Sequence, residues 1–193
     1  MKLYEIISLF SNLVWFILPM FRYKKKYFFF FFILSMTAFS GTTLHYLFSK
    51  APNTIWAPLS YLLVFSLYEK FFRKHILPIS IGFFPFIILS NFASHTERYV
   101  VVLIIHVFIL LWFLWEGIKE ILVNNKLDFF LLIMSLYEFL FVFKFVAILV
   151  EVLLGMEVFY VATAMQIFIG LYLIFVRKDI VIQLKNDDIK ITP

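Results

Sequence analysis

The sequence predicts an all-α membrane protein: a bundle of seven transmembrane helices with the N-terminus outside and the C-terminus in the cytoplasm. Hydrophobic residues make up 64% of the chain and only 15% of the residues are charged, whereas about a quarter of the residues in a soluble domain are charged. The apolar residues form continuous runs close to the roughly 20 residues that a helix needs to cross a bilayer. The alternating pattern of a membrane β-strand is not seen in these runs.

Seven runs are predicted to span the membrane. The third is the weakest by length, although it can extend through Phe71 and Phe72. The fourth has Pro85 in its interior, which predicts a kink that frees the carbonyl of Ile81 and makes Pro85 a candidate hinge. The predicted spans are Leu3–Met20, Tyr27–Phe48, Thr54–Tyr68, Ile76–Ala93, Tyr99–Glu116, Phe129–Val150 and Val158–Val176.

The distribution of basic residues predicts the orientation, because cytoplasmic connections are enriched in Lys and Arg. The segments that follow the first, third, fifth and seventh spans together carry thirteen Lys and Arg residues, against three on the opposite side. The net charge of +5 therefore reflects the inner face of a membrane protein, and no nucleic-acid partner is predicted. The chain divides into a transmembrane domain over residues 1–178 and a short cytoplasmic tail over residues 179–193. In the tail, strand-forming residues flank a possible turn, KNDD.

The 28 Phe residues are typical of an AT-rich genome, since Phe codons are AT-rich. They favour a bacterial source, and the predicted location is therefore a bacterial inner membrane. The predicted partners are the lipid bilayer and either another membrane protein or a second copy of this chain.

Two charged residues of the sixth span define the candidate site. Glu138 lies about 13 Å from the start of the span, close to the predicted midplane, and Lys144 lies about 9 Å from its outer end. Intramembrane charge is costly and usually faces the bundle interior. Asn12 and Gln166 are predicted at the same depth as Glu138, on spans that are plausible neighbours. We expect Glu138 to be protonated and to donate to one of these two residues, although ordinary interhelical hydrogen bonding explains Asn12 and Gln166 equally well.

A second polar layer is predicted in the outer half of the bundle. Glu5, His45, His106 and Lys144 belong to four different spans, and together they predict a polar pocket that opens outward. His45 and His106 lie at similar depth and could ligate a haem iron, while zinc would need a further ligand such as Glu5 or His95. No paired-histidine motif occurs in the sequence, so histidines hydrogen-bonded inside the bundle are the simpler interpretation. No metal is predicted and no cofactor is assigned.

These features favour a ligand-binding or sensory module, or the membrane subunit of a larger complex, because no catalytic constellation of known spacing is evident. The alternative is a small transporter or channel that uses Glu138 and Lys144, since charges at membrane depth mark ion and substrate pathways. An intramembrane hydrolase is the third possibility. A polar pocket closed on the inner side would favour binding, and a continuous polar path would favour transport.

Overall fold

The computed structural model describes residues 3–23, 25–48, 53–150, 155–176 and 180–184; within these ranges it describes only the backbone of residues 3–5, 41–42, 44–48, 53–54 and 155–156. Over these residues the chain is almost entirely helical, with one short pair of strands. The elements are α1 (Leu3–Phe21), α2 (Phe28–Phe48), α3 (Asn53–Ser66), α4 (Glu69–Lys74), α5 (Ile76–Phe92), α6 (His95–Asn124), β1 (Lys126–Asp128), α7 (Phe129–Leu149), α8 (Gly155–Phe175) and β2 (Val181–Gln183).

The predicted helical class is confirmed, and each of the seven predicted spans coincides with one of the longer helices. Three segments of the described chain are long and apolar enough to cross a membrane: His95–Asn124, Phe129–Leu149 and Glu157–Phe175. The four other apolar helices are shorter within the described residues, so the seven-span topology stays a prediction. Large apolar side chains are strongly exposed, among them Phe92 at 86% and Met20 at 75%. An apolar surface of this kind is typical of a protein that faces lipid.

Helix α6 is longer than predicted because of its capping residues. The hydroxyl of Ser94 accepts a hydrogen bond from the backbone N–H of Glu97, whose carboxylate accepts one from the N–H of Ser94. This capping box starts the helix before the predicted Tyr99. The helix ends at Asn125, whose left-handed φ of 49° stops the helical hydrogen bonding. At ~1.5 Å per residue, a helix of this length exceeds the ~30 Å hydrocarbon layer.

The third span ends earlier than the extension that the sequence allowed through Phe71 and Phe72. Helix α3 ends at Ser66, whose hydroxyl donates to the carbonyl of Leu63 at 2.6 Å, and Phe71 and Phe72 lie on the separate short helix α4. Pro85 lies inside α5, which is one continuous helix over Ile76–Phe92. The Pro85 hinge therefore stays a prediction.

Six of the helices form a closed ring. Around this ring, α1 contacts α2, α2 contacts α3, α3 contacts α6, α6 contacts α7, α7 contacts α8 and α8 returns to α1. Helix α5 packs against α3 from outside the ring. The interior is filled mainly by aromatic and aliphatic side chains, including Trp15, Phe30, Phe31, Phe113 and Tyr137. This arrangement brings α3, α6 and α7 side by side, which positions the site described below.

The segments that were predicted to be cytoplasmic meet at one end of the bundle. Tyr27, between α1 and α2, stacks on Phe130 at the start of α7, with ring centroids 5.2 Å apart. The indole N–H of Trp112, on α6, donates to the hydroxyl of Tyr68, between α3 and α4, at 3.0 Å. At the same end, β2 pairs antiparallel with β1. The described part of the tail, residues 180–184, thus contains a strand on the chain's own surface, and the turn predicted at KNDD, residues 185–188, lies outside the described residues.

Candidate functional site

Three polar side chains from three helices meet inside the bundle. The imidazole Nδ1 of His106, on α6, lies 2.7 Å from Oε2 of Glu138, on α7. The other ring nitrogen of His106, Nε2, lies 3.4 Å from the hydroxyl oxygen of Ser60, on α3. All three residues are at most 1% exposed. We call Ser60, His106 and Glu138 the central triad.

The central triad has a defined donor order when His106 is neutral and Glu138 is ionised. An ionised Glu138 can only accept, so Nδ1 then carries the proton that is donated to it. Nε2 then has a free lone pair, which accepts a hydrogen bond from the hydroxyl of Ser60. The protonated Glu138 expected from the sequence stays a prediction, and in that state Glu138 would donate to Nδ1 instead. The ring of Phe141 stacks on the imidazole, with centroids 3.9 Å apart, and helps to fix its plane. The second carboxyl oxygen of Glu138, Oε1, is buried and has no hydrogen-bond partner among the described residues.

A second polar contact links α7 to α8. The ammonium group of Lys144 donates to Oε1 of Gln166 at 3.0 Å, and its nitrogen lies 4.3 Å from the centroid of the Phe159 ring. Both partners of this hydrogen bond are buried. Nε2 of Gln166 is buried without a partner among the residues that the structure describes.

The geometry of α7 explains why Glu138 and Lys144 take part in separate contacts. At 3.6 residues and ~5.4 Å per turn, six residues turn the side chain about 120° around the axis and advance it about 9 Å. Glu138 therefore faces α6, and Lys144 faces α8. Both residues lie on α7, but they contact different neighbouring helices.

The structure groups the predicted site residues differently from the two predicted layers. His106, assigned to the outer layer, contacts Glu138, assigned to the midplane, while Gln166 contacts Lys144 instead of Glu138. Along their helices, His106 lies about 16 Å from His95 and Glu138 about 16 Å from Leu149, so the central triad is near mid-depth. Asn12 lies on α1, which neighbours α8. The side chains of Glu5 and His45 fall outside the described part, and so does any haem pair with His45.

Ser60 was not among the site residues predicted from the sequence. The only signal was a hydroxyl residue within an apolar span, and such residues usually bond to their own helix backbone. Among the residues that the structure describes, no group of three or more His, Asp or Glu side chains is arranged to hold a metal ion. The central triad consists of a hydroxyl, an imidazole and a carboxyl group, all of which can form hydrogen bonds.

Comparison with other proteins gives no relative: no family model, no curated protein and no solved structure matches this chain.

Proposed function

We propose that this chain is a multi-pass membrane protein that binds a small amphiphile at the central triad, as a ligand-binding or sensory module. The observation that carries the proposal is the fully buried His106–Glu138 contact, in which Oε1 of Glu138 is left without a hydrogen-bond partner among the described residues. In this proposal the bundle has seven spans, with the N-terminus outside and the C-terminus in the cytoplasm of a bacterial cell.

The energetic argument for a binding role starts from desolvation. A buried acceptor without a partner costs about 1–3 kcal/mol, and burying a carboxyl group costs free energy that a single hydrogen bond to an imidazole recovers only in part. The His106–Glu138 pair is thus a poor choice for stability alone. Ionisable residues at membrane depth are functional by default. A ligand that donates a hydrogen bond to Oε1 of Glu138 would remove the unsatisfied acceptor.

The depth and burial of the central triad limit the chemistry of the ligand. Each residue of the triad is buried near mid-depth of the bundle, a level at which the surrounding solvent would be lipid, and we propose that the ligand enters from the lipid phase. A molecule that partitions into lipid and carries a neutral donor, such as a hydroxyl group, enters at lower cost than one with a charged head group. The expected ligand is therefore an uncharged amphiphile with a hydroxyl group close to its apolar chain.

The proposed topology is supported by the positions of the basic segments. Arg22 and Tyr27 contact Phe130 at the start of α7, and Tyr68 bonds to Trp112 at the same end of the bundle. The sequence of this end is rich in Lys and Arg. Enrichment of short connections in basic residues is characteristic of the cytoplasmic side.

A transporter or channel would require Glu138 and Lys144 to lie along one path. Their side chains point to different neighbouring helices, and each is hydrogen-bonded to a partner on that helix. This separation favours a binding site at the central triad over a path shared by the two charges.

The binding proposal is tested with a hydroxyl-bearing ether lipid, 1-O-octadecenyl glycerol, added to the purified protein in lipid nanodiscs. Native mass spectrometry after release from the nanodisc should detect one bound molecule per chain. Glu138→Leu should abolish this adduct, because the acceptor is lost. Ser66→Ala, which removes another buried hydroxyl of α3, should retain it. An adduct that survives in Glu138→Leu, or no adduct with the wild-type chain, would contradict the proposal.

A further inference from the structure

We infer that the central triad is a nucleophilic acyl-transfer site, in which Ser60 attacks the ester carbonyl of an uncharged amphiphile. The inference rests on the binding function proposed above, and it assigns both a reaction and a substrate class to the same three residues. Its support is the linear order of a carboxylate, an imidazole and a hydroxyl on three different helices.

The order of the three groups matches the requirements of an activated serine. A hydroxyl is a weak nucleophile, and it is activated when an imidazole nitrogen accepts its proton. The imidazole must be held in one tautomer, and a carboxylate bonded to its other nitrogen does this. Glu138 lies 2.7 Å from Nδ1, and Ser60 lies 3.4 Å from Nε2. The second distance is long for a hydrogen bond, as is common for catalytic pairs before substrate binds.

Ser60 differs from most of the other buried serine and threonine residues of the helices, although one of these, Ser35, also bonds to another helix by donating to the carbonyl of Phe16 on α1. Ser66, Ser90, Ser135 and Thr163 each donate to a backbone carbonyl three or four residues earlier in the same helix. This local bond is the usual arrangement for a helical hydroxyl. The hydroxyl of Ser60 instead approaches the imidazole of another helix. Its side chain is therefore directed at a base rather than bonded to its own backbone.

The reaction is balanced without a metal or redox partner. The oxygen of Ser60 forms a bond to the carbonyl carbon, and its proton passes to Nε2 of His106. Collapse of the tetrahedral intermediate breaks the ester C–O bond, and the departing alcohol takes the proton from Nε2. Water then attacks the acyl-serine in the same way, releasing a carboxylic acid and restoring Ser60. Throughout, Glu138 stabilises the imidazolium that forms.

Access to Ser60 requires a helix movement, because the residue is only 1% exposed. Ser60 is on α3 and His106 is on α6, so a shift of α3 away from α6 would open the triad. Reaction with a serine-directed reagent should accordingly be slow, since it depends on the population of the open form.

The first test is covalent labelling of the nanodisc-embedded protein with a biotinylated alkyl fluorophosphonate. Peptide mass spectrometry should find the label on Ser60. Ser60→Ala should remove it, and His106→Gln should slow labelling at least about 100-fold, the smallest effect typical of a lost general base. Ser66→Ala, on the same helix, should label at the wild-type rate. Labelling that is absent from Ser60, or that persists unchanged in His106→Gln, would overturn the inference.

A second measurement separates this inference from the binding proposal. Monoolein carries the same hydroxyl head as the ether lipid but offers an ester carbonyl, and the wild-type chain should release oleate from it. Loss of oleate release in Ser60→Ala, with release retained in Ser66→Ala, would assign catalysis to the hydroxyl of Ser60. If the ether lipid binds but monoolein is not cleaved and Ser60 is not labelled, the acyl-transfer inference is wrong and the binding proposal stands. If the ether lipid does not bind while His106-dependent labelling occurs, the proposed ligand is wrong and the nucleophile is supported.

Discussion

The His106–Glu138 contact should be energetically coupled, and a double-mutant cycle measures this coupling directly. Glu138→Leu leaves the buried N–H of His106 without its acceptor, and His106→Leu leaves a carboxyl oxygen of Glu138 without its donor. Each single change should lower the free energy of unfolding by about 2 kcal/mol, the cost of an unsatisfied buried group. The double variant replaces both partners by apolar groups and should lose less than the sum of the two.

The expected coupling energy is about 1–1.7 kcal/mol. Hydrogen bonds between membrane helices usually couple by about 0.6 kcal/mol and at most about 1.7 kcal/mol. The short distance of 2.7 Å and the nearly complete burial of both side chains place this pair at the upper end of that range. Glu138→Gln keeps a hydrogen-bonding group beside His106, and it should therefore cost less than Glu138→Leu.

The assay is unfolding of the protein in mixed micelles by increasing fractions of dodecyl sulfate, followed by circular dichroism. A parallel cycle between Glu138→Leu and Ser66→Ala should give a coupling near zero, because Ser66 bonds to its own helix. A coupling below about 0.5 kcal/mol for the His106–Glu138 pair would refute the contact. If the Gln and Leu variants are equally harmless, Glu138 does not face the bundle interior.

Three further predictions concern other parts of the chain. Lys144→Leu should reduce the free energy of unfolding by about 1–2 kcal/mol in the same assay, since Gln166 loses its donor, and stability equal to wild type would exclude an internal role for the lysine. Gly170→Leu should be destabilising by about 1–3 kcal/mol through overpacking, because a Cβ at this position would lie 2.6 Å from Val14. Gly117→Ala should be tolerated, since the nearest atom there is 3.9 Å away; equal stability of these two glycine variants would contradict the close α1–α8 packing. Topology reporters fused after Lys26, Lys74, Lys126 and Pro193 should all report the cytoplasm, and an outside signal at any of them would contradict the proposed orientation.

Continuous hydrophobic runs were sufficient to predict the helices, because their length follows from bilayer thickness. The end of α6 was missed because it depends on capping residues, Ser94 and Asn125, rather than on hydropathy. The strand pair of β1 and β2 depends on contact between segments more than 50 residues apart. Hydropathy carries no information on such a pairing.

The contact between His106 and Glu138 could not be predicted from the sequence, for a different reason. In a soluble helix an apolar stripe shows which face points inward, but α6 and α7 carry apolar residues on all faces, and their rotation cannot be determined from the pattern. Depth alone placed His106 and Glu138 in different layers. The order of the helices around the ring could not be predicted either, because α5 lies outside the ring and α3 contacts α6 directly.

The two polar residues of α7 supply the rotational information that its apolar residues lack. If α7 were rotated about its axis, Glu138 would move away from His106 on α6 and Lys144 would move away from Gln166 on α8. The two side chains are separated by about 120° around the helix. Only one orientation satisfies both. The Lys144–Gln166 contact therefore orients α7 against α8, and this orientation in turn presents the carboxylate of Glu138 to His106. On this reasoning Lys144 is a positioning residue for the central triad, about 9 Å away along the helix, while the chemistry belongs to Ser60 and His106.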